Sequence, residues 1–249
     1  MSLSNLKSFA KQKYLLVGDT GAGKTRTAVE LAVEFARAGK TVRYIDTEQG
    51  ATNEFISIFE ELYGSVEAGV EALGDRIDYR VAIKPNELIK ALKDATKYDL
   101  LVLDSYYPLV QDNIRLYVRD LYLNQGYYKI GEKKILIENP ETFTLSGFMY
   151  QLANEFEKKI FEKLLESRTN IIFTTKPIPD DKSDKRNWFY GFFDVVLQLY
   201  RSQDGNHLAK VVKIRGKKLN EALAGKLVRD YTGILKKLLI KAGQLEASE

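Results

Sequence analysis

Residues 18–25 read Gly-Asp-Thr-Gly-Ala-Gly-Lys-Thr, a complete G-x-x-x-x-G-K-[ST] string. Glycines at Gly18, Gly21 and Gly23 let the backbone curl so that successive N–H groups, from Asp19, Thr20 and Ala22 onward to Arg26, point at phosphate oxygens. Lys24 would reach the β- and γ-phosphates, and the Thr25 hydroxyl would hold Mg²⁺. A nucleoside triphosphate with Mg²⁺ is therefore the expected ligand. Triphosphate chemistry also needs a carboxylate at the end of a neighbouring strand to hold the magnesium shell. Asp104, closing Leu100-Leu101-Val102-Leu103-Asp104, fills that place. Ser105 rather than an acid follows it, which counts against the enzymes whose catalytic Glu sits beside the magnesium Asp. The acid that activates water must then come from elsewhere, and Tyr44-Ile45-Asp46-Thr47-Glu48 offers Glu48 just past a strand end.

Elements suited to hold these groups alternate along the chain. Strand-like runs are Lys13–Val17, Thr41–Asp46, Ile77–Ala82, Asp99–Asp104, Asn170–Thr175, Asp194–Tyr200, His207–Arg215 and Lys226–Tyr231. Helical patterns are Thr27–Ala36, Asn53–Tyr63 with Phe55, Ile58, Phe59 and Leu62 on one face, Glu87–Thr96 and Leu145–Ser167. Such alternation implies an α/β protein, with a central, mostly parallel sheet flanked by helices. Gly205 in a turn between two late runs predicts antiparallel strands at the C-terminal edge. Ser105–Thr144, rich in tyrosine, and Lys176–Phe189, with Pro177, Pro179 and Trp188, read as long irregular loops.

The length of 249 residues suits one domain over 1–249, with an insertion at about 105–144 and a basic tail at about 234–249 that starts as an amphipathic helix. A 45% hydrophobic and 29% charged composition is that of a globular protein. With no cysteine, disulfides, thiolate metal sites and cysteine nucleophiles are excluded. The single histidine, His207, cannot by itself build a His-based metal site, and its place after Gly205-Asn206 assigns it to a turn or the strand leaving it. No apolar run is long enough for a membrane span and no signal-peptide plan opens the chain, so a cytoplasmic location without membrane contact is expected. The net charge of +4 is unevenly spread, with bases concentrated between Gly205 and Lys241.

On Ile45-Asp46-Thr47-Glu48, Leu103-Asp104-Ser105 and the phosphate-loop string together, the sequence resembles the RecA-like P-loop NTPases, especially RadA/Rad51 recombinases and KaiC-type proteins. The resemblance runs discontinuously from about Lys13 to Gly233. It implies ATP hydrolysis, with Glu48 activating water and Asp104 and Thr25 at the metal. In the strand Ile171-Ile172-Phe173-Thr174-Thr175, the terminal Thr175 would sense the γ-phosphate, although Lys176 stands where the family often has Gln or Asn. Val212-Lys213-Ile214-Arg215-Gly216 is similar to the Lys-x-Arg-Gly of KaiC-type proteins, whose cations reach across a subunit interface to the neighbour's γ-phosphate. Lys213 and Arg215 would thus act in trans, and a homo-oligomeric ring or filament is implied. The family arginine that stacks on adenine has no counterpart in Gln49–Phe59, and the N-terminal helical DNA-binding domain of recombinases is not expected ahead of the core.

Two partners remain open on sequence grounds. In recombinases the loops after the magnesium strand and after the sensor strand line a DNA path. Here the first offers Arg115, Arg119, Lys129, Lys133 and Lys134 among Tyr117, Tyr122, Tyr127 and Tyr128. The second offers Lys176, Lys182, Lys185, Arg186 and Trp188, offset by Asp180, Asp181 and Asp184. Cations among aromatics suit single- or double-stranded DNA, and the same tyrosines equally suit packing of the insertion against the sheet. The alternative is a KaiC-like switch that reports its ATP or ADP state to a protein partner and leaves DNA untouched. A small-molecule kinase fits less well, because acceptor-site and lid residues have no candidates.

Overall fold

The computed structural model describes residues 11–107, 109–130, 132–141, 143, 148–167, 169–178, 190–215, 224–241 and 244–245. In chain order its elements are β1 (Lys13–Gly18), α1 (Lys24–Arg37), β2 (Val42–Asp46), α2 (Ala51–Tyr63), α3 (Val66–Leu73), β3 (Ile77–Val81), α4 (Pro85–Asp94) and β4 (Leu100–Asp104). There follow α5 (Leu109–Gln125), β5 (Tyr127–Ile130), β6 (Lys133–Leu136), α6 (Phe148–Glu166), β7 (Asn170–Thr175), β8 (Val195–Arg201), β9 (His207–Ile214), β10 (Leu227–Val228) and α7 (Tyr231–Lys241). Short 3-10 turns at Gly74–Arg76 and Ala95–Lys97 lead into β3 and β4.

Among the described residues, eight strands form one sheet in the order β10-β9-β8-β1-β7-β4-β2-β3. The pairs from β8 through β3 are parallel, while β8–β9 and β9–β10 are antiparallel. Strands covered on both faces are mainly apolar, and β2, β4 and β7 are buried at every position, their polar residues Arg43, Asp46, Asn170 and Thr174 included. Strand alternation sends Leu16, Tyr44, Val102 and Ile172 to a core under α1 and α2. It sends Leu15, Ile45, Leu103 and Phe173 to a second core under α4, α5 and α6.

Several sequence expectations change here. Ser105–Thr144 is not one irregular loop: it contains α5 and a two-stranded hairpin, β5–β6, whose strands pair Lys129 with Lys134. Helix α3 has no counterpart in the expected elements, and Ser65 caps it by accepting from the Ala68 amide at 3.1 Å. On α2, Phe55, Ile58 and Phe59 are buried as expected, whereas Leu62 is exposed. The run at Lys226–Tyr231 yields only a two-residue strand, because Tyr231 begins a helix. That helix is part of the core, with Leu235 and Leu239 fully buried among residues of α1 and the sheet. Most of the Lys176–Phe189 loop, including Lys182, Lys185, Arg186 and Trp188, lies outside the described residues, as do Gly216, Thr144 and the end of the tail. No helix among the described residues is long and apolar enough to cross a membrane.

Candidate functional site

Strand register gathers the chemically suited residues at one edge. Val17 lies beside Thr175, and Asp46 beside Asp104, so the carboxyl ends of β1, β7, β4 and β2 adjoin. Ligands in open α/β sheets bind at this edge. The loop leaving β1 curls through Gly21 (φ 79°) and Gly23 (φ 90°), both left-handed, before α1 begins at Lys24. Gly18 is required for another reason: a Cβ there would lie 2.5 Å from the Leu199 carbonyl oxygen. Asp19, Thr20 and Gly21 are exposed, while Ala22 is buried beneath them. The N-cap position of α1 carries no side-chain cap, so its amides are open to an anion. Lys24 folds back, donating to the Gly18 and Asp19 carbonyls at 2.8 Å each. Burial lowers its pKa against the opposing attraction of Asp104 and then Glu48.

Asp104 is buried, and among the described residues two hydroxyls hold it: Tyr44 donates to one carboxylate oxygen at 2.8 Å and Thr174 donates to the other, with the Thr25 hydroxyl close by. Burial pushes the carboxyl above its ordinary range, against the pull of Thr174, Tyr44 and Thr25. Among the described residues, no group of three or more His, Asp or Glu is arranged to hold a metal. One carboxylate beside one hydroxyl is a poor site for zinc but fits Mg²⁺, which keeps waters and substrate phosphates as its other ligands.

Glu48 belongs to the same constellation. It stands two residues past β2, where Asp46 organises the turn by accepting from the Glu48 amide at 3.0 Å, the Ala51 amide at 3.0 Å and the Tyr79 hydroxyl at 2.7 Å. The Ser105 hydroxyl donates to the Glu48 carboxylate at 2.7 Å, and the Lys176 ammonium sits 3.8 Å from the same oxygen. Ser105 is itself clamped to Thr47. Its amide donates to the Thr47 hydroxyl at 2.9 Å, and that hydroxyl donates to the Ser105 carbonyl at 2.8 Å. The Asp104–Ser105 peptide bond is cis. Thus the structure brings Lys24, Thr25, Glu48 and Asp104 to one edge, and beside them stand Tyr44, Asp46, Thr47 and Thr174, which the sequence did not single out. Thr175 is fully buried and donates to the Lys176 carbonyl at 3.0 Å. Its neighbour Thr174 is the one that touches Asp104.

A cleft of about 640 Å³ opens beside the loop, lined among others by Arg26, Glu54, Arg201, His207, Arg229 and Tyr231. Arg26 is tied to Glu30 at 3.0 Å and Glu61 at 2.5 Å, with Glu54 at 3.7 Å, so acidic side chains rather than the loop claim its guanidinium. His207 opens β9 and lies against the loop: a Cβ on Gly23 would fall 2.9 Å from its Nδ1 and 3.0 Å from the Tyr231 hydroxyl. The only sequence signal for this was that histidine occurs once.

Lys213 and Arg215 are not part of the edge that carries the loop. Ile214 pairs with Val195, which in turn pairs with Tyr14, so both cations lie by the amino ends of β1 and β8. Lys213 donates to the Tyr190 and Gly191 carbonyls at 3.0 Å each, and Arg215 pairs with Asp194 at 2.8 Å. In the insertion, Tyr117 stacks on Phe156 and Tyr122 meets Tyr128 edge-on, so these tyrosines pack the insertion. Arg115 and Arg119 have acidic neighbours in Asp112 and Asp120. Lys129, Lys133 and Lys134 are exposed on the hairpin, and the Lys134 ammonium lies 3.9 Å over the Tyr127 ring.

No protein-family model matches this chain, and no curated protein matches it in sequence. Solved structures do resemble it. The RadB recombinase superposes with a TM-score of 0.54 at 18% identity over 91% of each chain. The KaiC-like protein from the hyperthermophilic archaeon Pyrococcus horikoshii OT3 gives 0.49 at 18% identity, over 82% of this chain and 79% of that one. The flagellar accessory protein FlaH from Methanocaldococcus jannaschii gives 0.45 at 17% identity, over 86% and 84%. At such identity the likeness to RadB is one of fold, and scores under 0.5 add nothing to it. A mostly parallel sheet, a phosphate loop leaving its first strand and an antiparallel late edge together give this chain the RecA-like P-loop fold.

Proposed function

We propose that the chain is a Mg²⁺-dependent, RecA-like ATPase, working as one domain over 1–249, that assembles with copies of itself and acts on DNA. The observation that carries this reading is the meeting of Lys24, Thr25, Glu48 and Asp104, from separate segments, at one sheet edge. Amides of the 18–26 loop receive the phosphates, and Lys24 exchanges the Gly18 and Asp19 carbonyls for phosphate oxygens. Thr25 and Asp104 would hold Mg²⁺, which supplies charge neutralisation on the β- and γ-phosphates. Glu48, steadied by Ser105, orients water and takes its proton. The cleft beside the loop takes the sugar and base. Lys213 and Arg215, too far along β9 to serve their own subunit, serve a neighbour's γ-phosphate once released from Asp194 and the backbone carbonyls. The exposed lysines of the β5–β6 hairpin support contact with nucleic-acid phosphates.

The test is ATP turnover of the wild type, Lys24→Ala and Glu48→Gln, each with and without single-stranded DNA, alongside the mass of the assembled state. Lys24→Ala should lose triphosphate binding, whereas Glu48→Gln should keep ATP and lose about 10²–10⁴-fold in kcat. DNA should stimulate the wild type, and the effect should fade as salt rises. Normal turnover in Glu48→Gln refutes the hydrolytic assignment. ATP-controlled assembly without DNA stimulation replaces DNA by a protein partner.

A further inference from the structure

Behind the catalytic edge lies a buried polar triad with no part in the chemistry just described. Tyr106, Gln111 and Glu157 are 0%, 2% and 2% exposed, in the core under α5 and α6. The Tyr106 hydroxyl donates to Glu157, and the Gln111 amide donates to both of them at 3.2 Å. The rings of Phe161 and Phe173 enclose Tyr106 at 5.2 and 6.4 Å. A buried carboxylate is a costly way to fill such a space, and an apolar side chain of similar volume serves stability as well or better. A fully bonded buried network instead holds its members in one geometry.

What it holds is the strand end that carries the site. Three consecutive residues face three different partners: Asp104 meets Thr25, Ser105 donates to Glu48 at 2.7 Å, and Tyr106 meets Glu157 and Gln111. The Tyr106 amide is also fixed, donating to the Thr174 carbonyl at 2.8 Å, next to the threonine that bonds Asp104. Gln111 comes from the first turn of α5 and Glu157 from the middle of α6, the helices on either side of the β5–β6 hairpin in the chain. We infer that Glu157 and Gln111 are positioning residues for hydrolysis. Through Tyr106 and Ser105 they set the pose of the Glu48 carboxylate, and they carry displacement of the α5–hairpin–α6 insertion to it. This role rests on Glu48 activating water.

Steady-state ATP turnover and thermal unfolding of the full chain test it, using Glu157→Leu, Ser105→Ala and the double variant. Glu157→Leu should lower kcat about tenfold, with the KM for ATP unchanged within about twofold, since loosened geometry at the reacting group acts on the chemical step. In the double variant kcat should fall no further than in Ser105→Ala, because both changes cut the same link. Losses that multiply, or a KM that rises while kcat holds, overturn the inference. Should Glu157→Leu fail to fold, Gln111→Ala, which removes only the bridging donor, is carried through the same cycle with Ser105→Ala. Glu48→Gln separates the two levels. If it turns over normally the hydrolytic reading fails; if it is inactive and the losses multiply, only the positioning role fails.

Discussion

Replacing Gly23 by alanine puts a methyl group where the structure has no room and a side chain where the backbone resists one. At φ 90° an L-residue in the left-handed region costs about 1–2 kcal/mol relative to glycine. The new Cβ would sit 2.9 Å from the His207 Nδ1 and 3.0 Å from the Tyr231 hydroxyl, and overpacking of that kind costs about 1–3 kcal/mol. The sum is about 2–5 kcal/mol. Falling wholly on binding, its lower bound is about thirtyfold in triphosphate affinity; falling on the folded state, it appears as a lower Tm. Calorimetric titration with a non-hydrolysable ATP analogue and a melting curve on the same sample measure both shares. Adding His207→Ala removes the tighter contact but leaves the backbone strain and the Tyr231 contact. About 1 kcal/mol should return, roughly fivefold in affinity. Wild-type affinity and Tm in Gly23→Ala would refute the loop geometry. Absence of any recovery in the double variant would refute the contact with His207.

If Arg215 serves a neighbour's site as proposed, Arg215→Ala and Glu48→Gln should each lose most turnover alone and partly restore it when mixed, because a mixed assembly would pair an intact Glu48 with a neighbour's intact Arg215. A mixture as inactive as its components argues against action in trans. Leu239→Ala should cost about 2–5 kcal/mol and lower Tm by roughly 5 °C or more, since Leu239 is fully buried. An unchanged melting curve would mean that α7 frays as a tail.

The phosphate loop and the strands beside it were legible because their signals are local. Glycines at fixed offsets followed by Lys24-Thr25 specify a backbone path, and Leu100–Leu103 can be so uniformly apolar only where helices cover both faces. The insertion was less legible. Its tyrosines suit either stacking on bases or packing the insertion against the sheet, and Tyr117 and Tyr122 set their rings on Phe156 and Tyr128. Residue type does not tell which face of an aromatic is already occupied. Thr174 and Thr175 posed a similar ambiguity: two identical side chains at a strand end point to opposite faces, and only the register beside β4 puts Thr174 on Asp104.

By itself, then, the chain determined an α/β sheet with a glycine-rich loop leaving its first strand, and it singled out Lys24, Thr25, Glu48 and Asp104, which the fold places at one edge. Backbone curvature and apolar periodicity are written over a few consecutive residues, so they survive without tertiary information. Tertiary structure alone decided who restrains those groups. Ser105 reaches Glu48 across 57 residues of sequence, Tyr106 reaches Glu157 across 51, and His207 comes to rest on Gly23 only because β9 runs antiparallel beside β8. Contacts between distant segments depend on strand order and register, which no stretch of consecutive residues encodes.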